Sequence, residues 1–426
     1  MFRLAPLYKS AEEEGDRVRC ACMNENRERT SEQKHNRTVN ISLVMLCQSF
    51  QAVTLAGIAL FLPVIRRDLN LSFTQGGTLF SARILIYALM QIPAGYLTDR
   101  YGLKRVFFTG VLGTPVLCLT FGLVSVYWQA LLNQAASGFF HALVFVSALS
   151  QLAGWFGGPR RATAMALSMI GISSGLLVMN IFGPLLAELS SWRFPFVSLA
   201  PIGILAAFGY LWLGKEPPQP GPRQEPRTRD VLQLFRDRFM WVCGIIQYVR
   251  LGVVQGTSFW LPSLLIEEKK LSVQATGLII ALWAVLIAPS NVIGGYLADR
   301  LKRPTLIIGL SLMVLAITTA ALVRADNVVA LVILLLINAV FIQLYFGPLF
   351  AVPVERYGAR LIGSLSGFGN FFANVGALTF TYLLGVLKDQ TGSFASGFYA
   401  IAAVCLIGFA ATIVLEKMRG QRLSES

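Results

Sequence analysis

Charge is scarce in this 426-residue chain: 14% of its residues are Asp, Glu, Lys or Arg, 55% are hydrophobic, and the mean hydropathy is +0.62. A water-dissolved fold needs more polar surface than that, so a soluble globular domain is excluded. Acid is scarcer than base, with 22 carboxylates against 36 cations, and there are two histidines. Cysteine is present but unpatterned. Cys20 and Cys22 lie in the amino-terminal region and Cys47, Cys118, Cys243 and Cys405 in apolar runs, with no metal-ligand spacing completed by histidine. No nucleotide-binding motif occurs, and no nucleophile, base and metal set lies in a soluble segment. Neither catalysis nor a cofactor is therefore expected.

Long apolar runs fill the chain instead. Twelve are long enough to cross hydrocarbon, at about 43–65, 76–98, 106–126, 128–155, 162–187, 194–214, 239–265, 275–298, 305–323, 327–354, 361–386 and 395–416. In lipid each must satisfy its own backbone, so the expected class is an all-α membrane protein of twelve transmembrane helices. Prolines inside the runs, including Pro93, Pro184, Pro262, Pro289 and Pro348, are expected as kinks. Residues 1–42 are polar and poor in aromatics, and read as a disordered tail with no secretory signal; Met23 is a second candidate start. A proline-rich linker at 215–238 separates a six-helix bundle at 43–214 from a second at 239–416, and 417–426 form a closing tail.

If the amino terminus is inside, 27 Lys and Arg residues fall on the inner side and 7 on the outer, with two left in the spans. Both termini are thus expected in the cytoplasm, with the protein in an inner or plasma membrane in contact with lipid. The net charge of +14 is accounted for by topology, so no nucleic-acid partner is expected.

The two halves repeat each other. Gly95-Tyr96-Leu97-Thr98-Asp99-Arg100-Tyr101-Gly102-Leu103-Lys104-Arg105 joins the second and third runs, and Gly295-Tyr296-Leu297-Ala298-Asp299-Arg300 recurs 200 positions later, followed by Lys302 and Arg303 without the second glycine. At an offset of 199, Gln48, Gln51, Gly57, Leu62 and Pro63 fall on Gln247, Arg250, Gly256, Leu261 and Pro262, four of the five pairs being identical. Such duplication predicts a pseudo-two-fold axis along the membrane normal and a cavity between the halves. The motif resembles the G-x-L-a-D-r-x-G-r-k signature of the major facilitator superfamily. That resemblance implies a monomeric secondary transporter working by alternating access, with Gly95, Asp99, Arg100, Gly102, Lys104, Arg105, Gly295, Asp299 and Arg300 in a cytoplasmic gate.

The two cations left in the spans are Arg83 in the second and Arg250 in the seventh. A charge at such depth costs roughly 2.5–3.5 kcal/mol on insertion scales, and no carboxylate lies mid-span to offset it. An anionic substrate would, because guanidinium grips carboxylate, phosphate or nitrate oxygens in pairs. Tyr87 and Gln91 share the Arg83 face and Gln247 stands one turn from Arg250, while Gln48, Gln51 and Asn374 are further candidate ligands. His141, the one histidine in a span, is the candidate for coupling to H+. The placement of Arg83 before Gly95 is similar to that in nitrate and nitrite porters. An arginine on the seventh helix resembles organophosphate antiporters and organic anion symporters, although their first-helix partner is Gln51 here. Transport of a small anion, an organic acid above others, is the reading. Efflux of a neutral or amphipathic compound and a solute sensor that does not transport are its alternatives.

Overall fold

A computed structural model describes the backbone of residues 5–156, 161–217, 234, 236–357 and 362–423. Its helices are α1 (Ala5–Asp68), α2 (Phe73–Tyr101), α3 (Leu103–Phe121), α4 (Tyr127–Phe156), α5 (Arg161–Glu188) and α6 (Phe194–Leu213). After the linker come α7 (Arg238–Ser263), which ends in a π turn (Leu264–Glu268), α8 (Val273–Leu301) and α9 (Pro304–Arg324). The tenth span is in two pieces, α10a (Val328–Leu344) and α10b (Phe346–Tyr357), followed by α11 (Ile362–Thr391) and α12 (Ala395–Leu423). Twelve segments are long and apolar enough to cross a membrane.

Two of these elements differ from the sequence expectation. Residues 5–42 do not form an irregular tail but continue α1 as helix. Their Glu, Arg, Lys and Ala content cannot build a core, yet straight-chain residues propagate a helix that already exists at lower cost than they nucleate one. The tenth span is broken at Tyr345 rather than kinked. Pro348 cannot donate, and its ring collides with the carbonyl four residues earlier, that of Leu344, where α10a stops.

The duplication is legible in caps and contacts. Ser72 caps α2 in a capping box with Gln75, and Ser272, 200 positions on, caps α8 through the amide of Ala275. The α2–α3 turn uses Gly102 at φ 89° and ψ 147°, whereas the corresponding turn of the second half is made by Lys302 in the left-handed region at φ 52° and ψ 24°, where an L side chain is tolerated only at a cost. Within the halves, Gly175 lies against the Ser49 carbonyl and Gly376 against that of Tyr248, each letting a fifth helix approach a first.

Helices α1–α6 pack mainly on one another, as do α7–α12. Between the sets, α2 lies on α11, α5 on α8 and α1 on α7. Gly77 of α2 abuts the Thr381 carbonyl of α11, and its repeat Gly277 of α8 abuts the Asn180 carbonyl of α5. These contacts sit toward the face that carries the α1–α2 and α7–α8 turns, the far face, opposite the face that carries the termini and linker.

The far face is fastened by charge as well as by packing. Arg66 pairs with Glu267 at 3.0 Å while its guanidinium covers the Phe73 ring, and the Asp389 carboxylate accepts from the amides of Phe73 and Thr74 at 2.9 and 2.6 Å. A carboxylate there meets the free donors and positive end of α2. Gln274 donates to Glu188, Ser81 meets Thr381 at 3.0 Å, and the Phe80 and Phe259 rings stack at 4.6 Å. On the terminal face, by contrast, the ion pairs among the described residues stay within the second half: Arg356 with Asp237, and Arg419 with Glu355 and Glu416. The two halves are therefore locked at the far face.

Candidate functional site

Arg83 projects from the middle of α2 where Gly138 lets α4 close on the Arg83 backbone. It is 8% exposed, its Nη1 has no acceptor among the described residues, and its nearest ring is Phe80 at 5.6 Å. His141, one turn along α4 from Gly138, is buried within charge range of Arg83, and its Nδ1 is likewise unpartnered. Gln51 of α1 donates to the His141 carbonyl at 3.4 Å and leaves its own Oε1 unpartnered. Tyr87 lies one turn from Arg83 and engages Gln91. The structure thus gathers Arg83, Tyr87, Gln91, His141 and Gln51 from three helices of the first half.

Arg250 is 4% exposed near the centre of α7. Its Nε donates to Gln247 Oε1 at 2.8 Å, and its guanidinium lies 4.9 and 5.9 Å from the Phe346 and Phe350 rings of α10b. Aromatic faces soften the isolation of a cation without neutralising it. Neither Arg83 nor Arg250 joins a salt bridge among the described residues, whereas cations nearer the far face, such as Arg66, Arg193 and Lys388, do. A cleft lined by Met240, Cys243, Gln247, Leu349, Phe350 and Phe368 runs from beside Arg250 toward the terminal face.

Tyr345 was not among the candidates read from sequence. It occupies the break in α10, fully buried, within charge range of Arg250, with a hydroxyl that has no partner. Pro348 carried the signal, since a broken span at mid-membrane is a place where polar groups converge. Trp283 is a second omission: it is 200 positions from Arg83, buried, with an unpartnered Nε1. Applying the repeat offset to Arg83 would have found it.

Other predicted positions fall elsewhere. Gln48 is fully buried on α1, but Asn374 donates to the Asn370 carbonyl of its own helix at 2.8 Å and stays half-buried. At the terminal face, Arg100 and Arg300 bond to Tyr96 and Tyr296 on their own helices at 2.8 and 3.4 Å, and the amide of Lys104 is held by Glu216 of the linker at 3.2 Å. Gly95 and Gly295 have open space where a Cβ would stand, Gly102 makes the turn, and Arg105 is exposed. The side chains of Asp99 and Asp299 lie outside the described residues. No group of three or more His, Cys, Asp or Glu among the described residues is placed to hold a metal. What the geometry offers is two buried, unneutralised cations with neutral polar groups beside them, an arrangement complementary in charge to an anion.

Comparison with known proteins agrees with this architecture. The sequence profile of the Major Facilitator Superfamily matches residues 44–381 and 273–424. The hexuronate transporter of Bacillus subtilis (strain 168) is 26% identical over 379 residues, covering 82% of this chain and 88% of that protein. The D-galactonate transporter of Escherichia coli O6:H1 (strain CFT073) is 23% identical, covering 84% and 91%. Among solved structures, a bacterial homologue of the human lysosomal transporter Spinster, inward-facing and unoccupied, superposes with a TM-score of 0.76 at 18% identity, over 90% of this chain and 97% of that one.

Proposed function

This chain belongs to the Major Facilitator Superfamily, and from that premise we propose that it carries a small organic anion held between Arg83 and Arg250. It is a multi-pass membrane transporter, and its twelve spans place it in the bilayer. The observation that carries the anion reading is the burial of both arginines without an acidic partner among the described residues. An isolated buried charge is retained at a cost of kilocalories, and a ligand of opposite sign recovers that cost only when bound. The related hexuronate and D-galactonate transporters are named for carboxylates, which supports the same class of substrate here. The excess of basic residues on the terminal face supports a cytoplasmic location for both termini, in an inner or plasma membrane.

The test is ligand-dependent thermal stability of the purified protein against anionic, neutral and cationic solutes, followed by uptake of the stabilising solutes into proteoliposomes. Particular carboxylates are expected to raise the melting temperature and to be transported, because a ligand specific for the native state stabilises it by mass action. Stabilisation by neutral or cationic solutes alone would replace this reading with efflux of amphipathic compounds.

His141 supplies the coupling in this proposal. The groups that face its ring are the Arg83 guanidinium from α2 and the Gln51 backbone from α1. An empty Arg83 repels a proton on His141, and an anion on Arg83 removes that repulsion. Anion and proton therefore favour each other's binding, reciprocally. Uptake is expected to rise as the external pH falls. In His141→Asn, an inward proton gradient should no longer drive accumulation while counterflow of the substrate persists; gradient-driven accumulation by that variant would remove His141 from the coupling role.

A further inference from the structure

Each half presents its own cation with its own unpartnered neutral group: Arg83 with His141 Nδ1 in the first, Arg250 with the Tyr345 hydroxyl in the second. These seats are staggered in depth. Phe80 and Phe259 stack at 4.6 Å and so mark one level on α2 and α7, which run in opposite directions. Arg83 lies three residues from Phe80 toward the terminal face and Arg250 nine residues from Phe259 in the same direction, so at about 1.5 Å per residue Arg250 sits roughly 9 Å nearer that face. One carboxylate cannot pair closely with two guanidinium groups so placed unless both side chains bend to one level. Arg250 is not free to do so, being held by Gln247 at 2.8 Å and flanked by Phe346.

Resting on the anion reading above, we propose that the substrate is a dianion, a short-chain dicarboxylate lying along the membrane normal, with one carboxylate on Arg83 and His141 and the other on Arg250 and Tyr345. Such a ligand ties one half of the transporter to the other at two depths. A monoanion neutralises one seat and leaves the second arginine buried and unpaired, at the same cost as in the empty protein.

Calorimetry on the full-length purified protein distinguishes these cases. The probes are adipate and galactarate, each compared with its monomethyl ester, which keeps the shape and removes one charge. The wild type is expected to bind a diacid roughly ten- to hundredfold more tightly than its half-ester, the value of one charge-assisted contact. Arg83→Gln and Arg250→Gln are each expected to erase that preference, and Tyr345→Phe, which keeps the ring, to weaken the diacid by about tenfold. Equal affinity for diacid and half-ester would overturn the dianion while leaving the anion reading in place, and so would two half-esters bound per protein with no gain for the diacid. Anion binding that survives both arginine substitutions would overturn both. The comparison on the wild type stands even if a variant fails to fold.

Discussion

Arg250→Gln is expected to lower substrate affinity by roughly ten- to hundredfold and at the same time to raise the melting temperature of the ligand-free protein. The two effects have opposite signs for one reason. In the empty transporter the guanidinium is 4% exposed and neutralised by no carboxylate among the described residues, so its charge is held against the solvation it would have in water. Glutamine keeps a donor in reach of Gln247 and drops the charge. The free protein is relieved of the desolvation cost, and the bound protein loses the attraction that repaid it. A structural arginine behaves otherwise: removing one partner of a satisfied buried pair destabilises by about 3–5 kcal/mol. Thermal unfolding without ligand, paired with titration of a transported carboxylate, reads both quantities on one sample. A fall in ligand-free stability with unchanged affinity would mean that Arg250 is a packing element.

The same logic explains what could and could not be read from the chain. Arg83 and Arg250 were legible because charge in an apolar run needs no structure to be conspicuous. The fold was legible because twelve runs must be helices, and because the offset near 200 residues maps Ser72 on Ser272 and Gly77 on Gly277. Tyr345 and Trp283 were hidden by their chemistry. An aromatic residue in a membrane run is unremarkable until its hydroxyl or N–H proves buried without a partner. The far-face contacts of Arg66 with Glu267 and of Asp389 with the α2 amides were not legible, since pairing between residues about 200 or 300 apart depends on which helix ends meet. The break in α10 was half legible: Pro348 announced a disturbance, but whether a proline kinks or ends a helix is decided by the surroundings of its i−4 carbonyl. The helical continuation of α1 into residues 5–42 was not legible, because a segment too polar to bury a core can still extend a helix nucleated in the membrane span that follows it.

The far-face closure yields the other large effect, at positions that touch no substrate. Gly77→Leu and Gly277→Leu are each expected to reduce uptake more than tenfold while each half remains folded. A Cβ on Gly77 would stand 2.7 Å from the Thr381 carbonyl oxygen of the opposite half, and one on Gly277 would press on the Asn180 carbonyl in the same way. Both neighbours are backbone and cannot swing aside, so the strain falls on the closed interface. When the far face opens, α2 leaves α11 and α8 leaves α5, and the leucine is free. Overpacking of about 1–3 kcal/mol that acts on one state alone shifts the equilibrium by roughly five- to hundredfold toward the far-open form. A cycle that must pass through both states then stalls. Spin labels at Ser190 and Gln390, exposed on the far face in opposite halves, would report the shift as longer distances in either variant. Gly209→Leu is the control, since a Cβ there meets nothing within 4 Å. Wild-type distances and uptake in Gly77→Leu and Gly277→Leu would show that the two halves do not separate along α2–α11 and α5–α8, and the alternating-access motion would have to be sought at another interface.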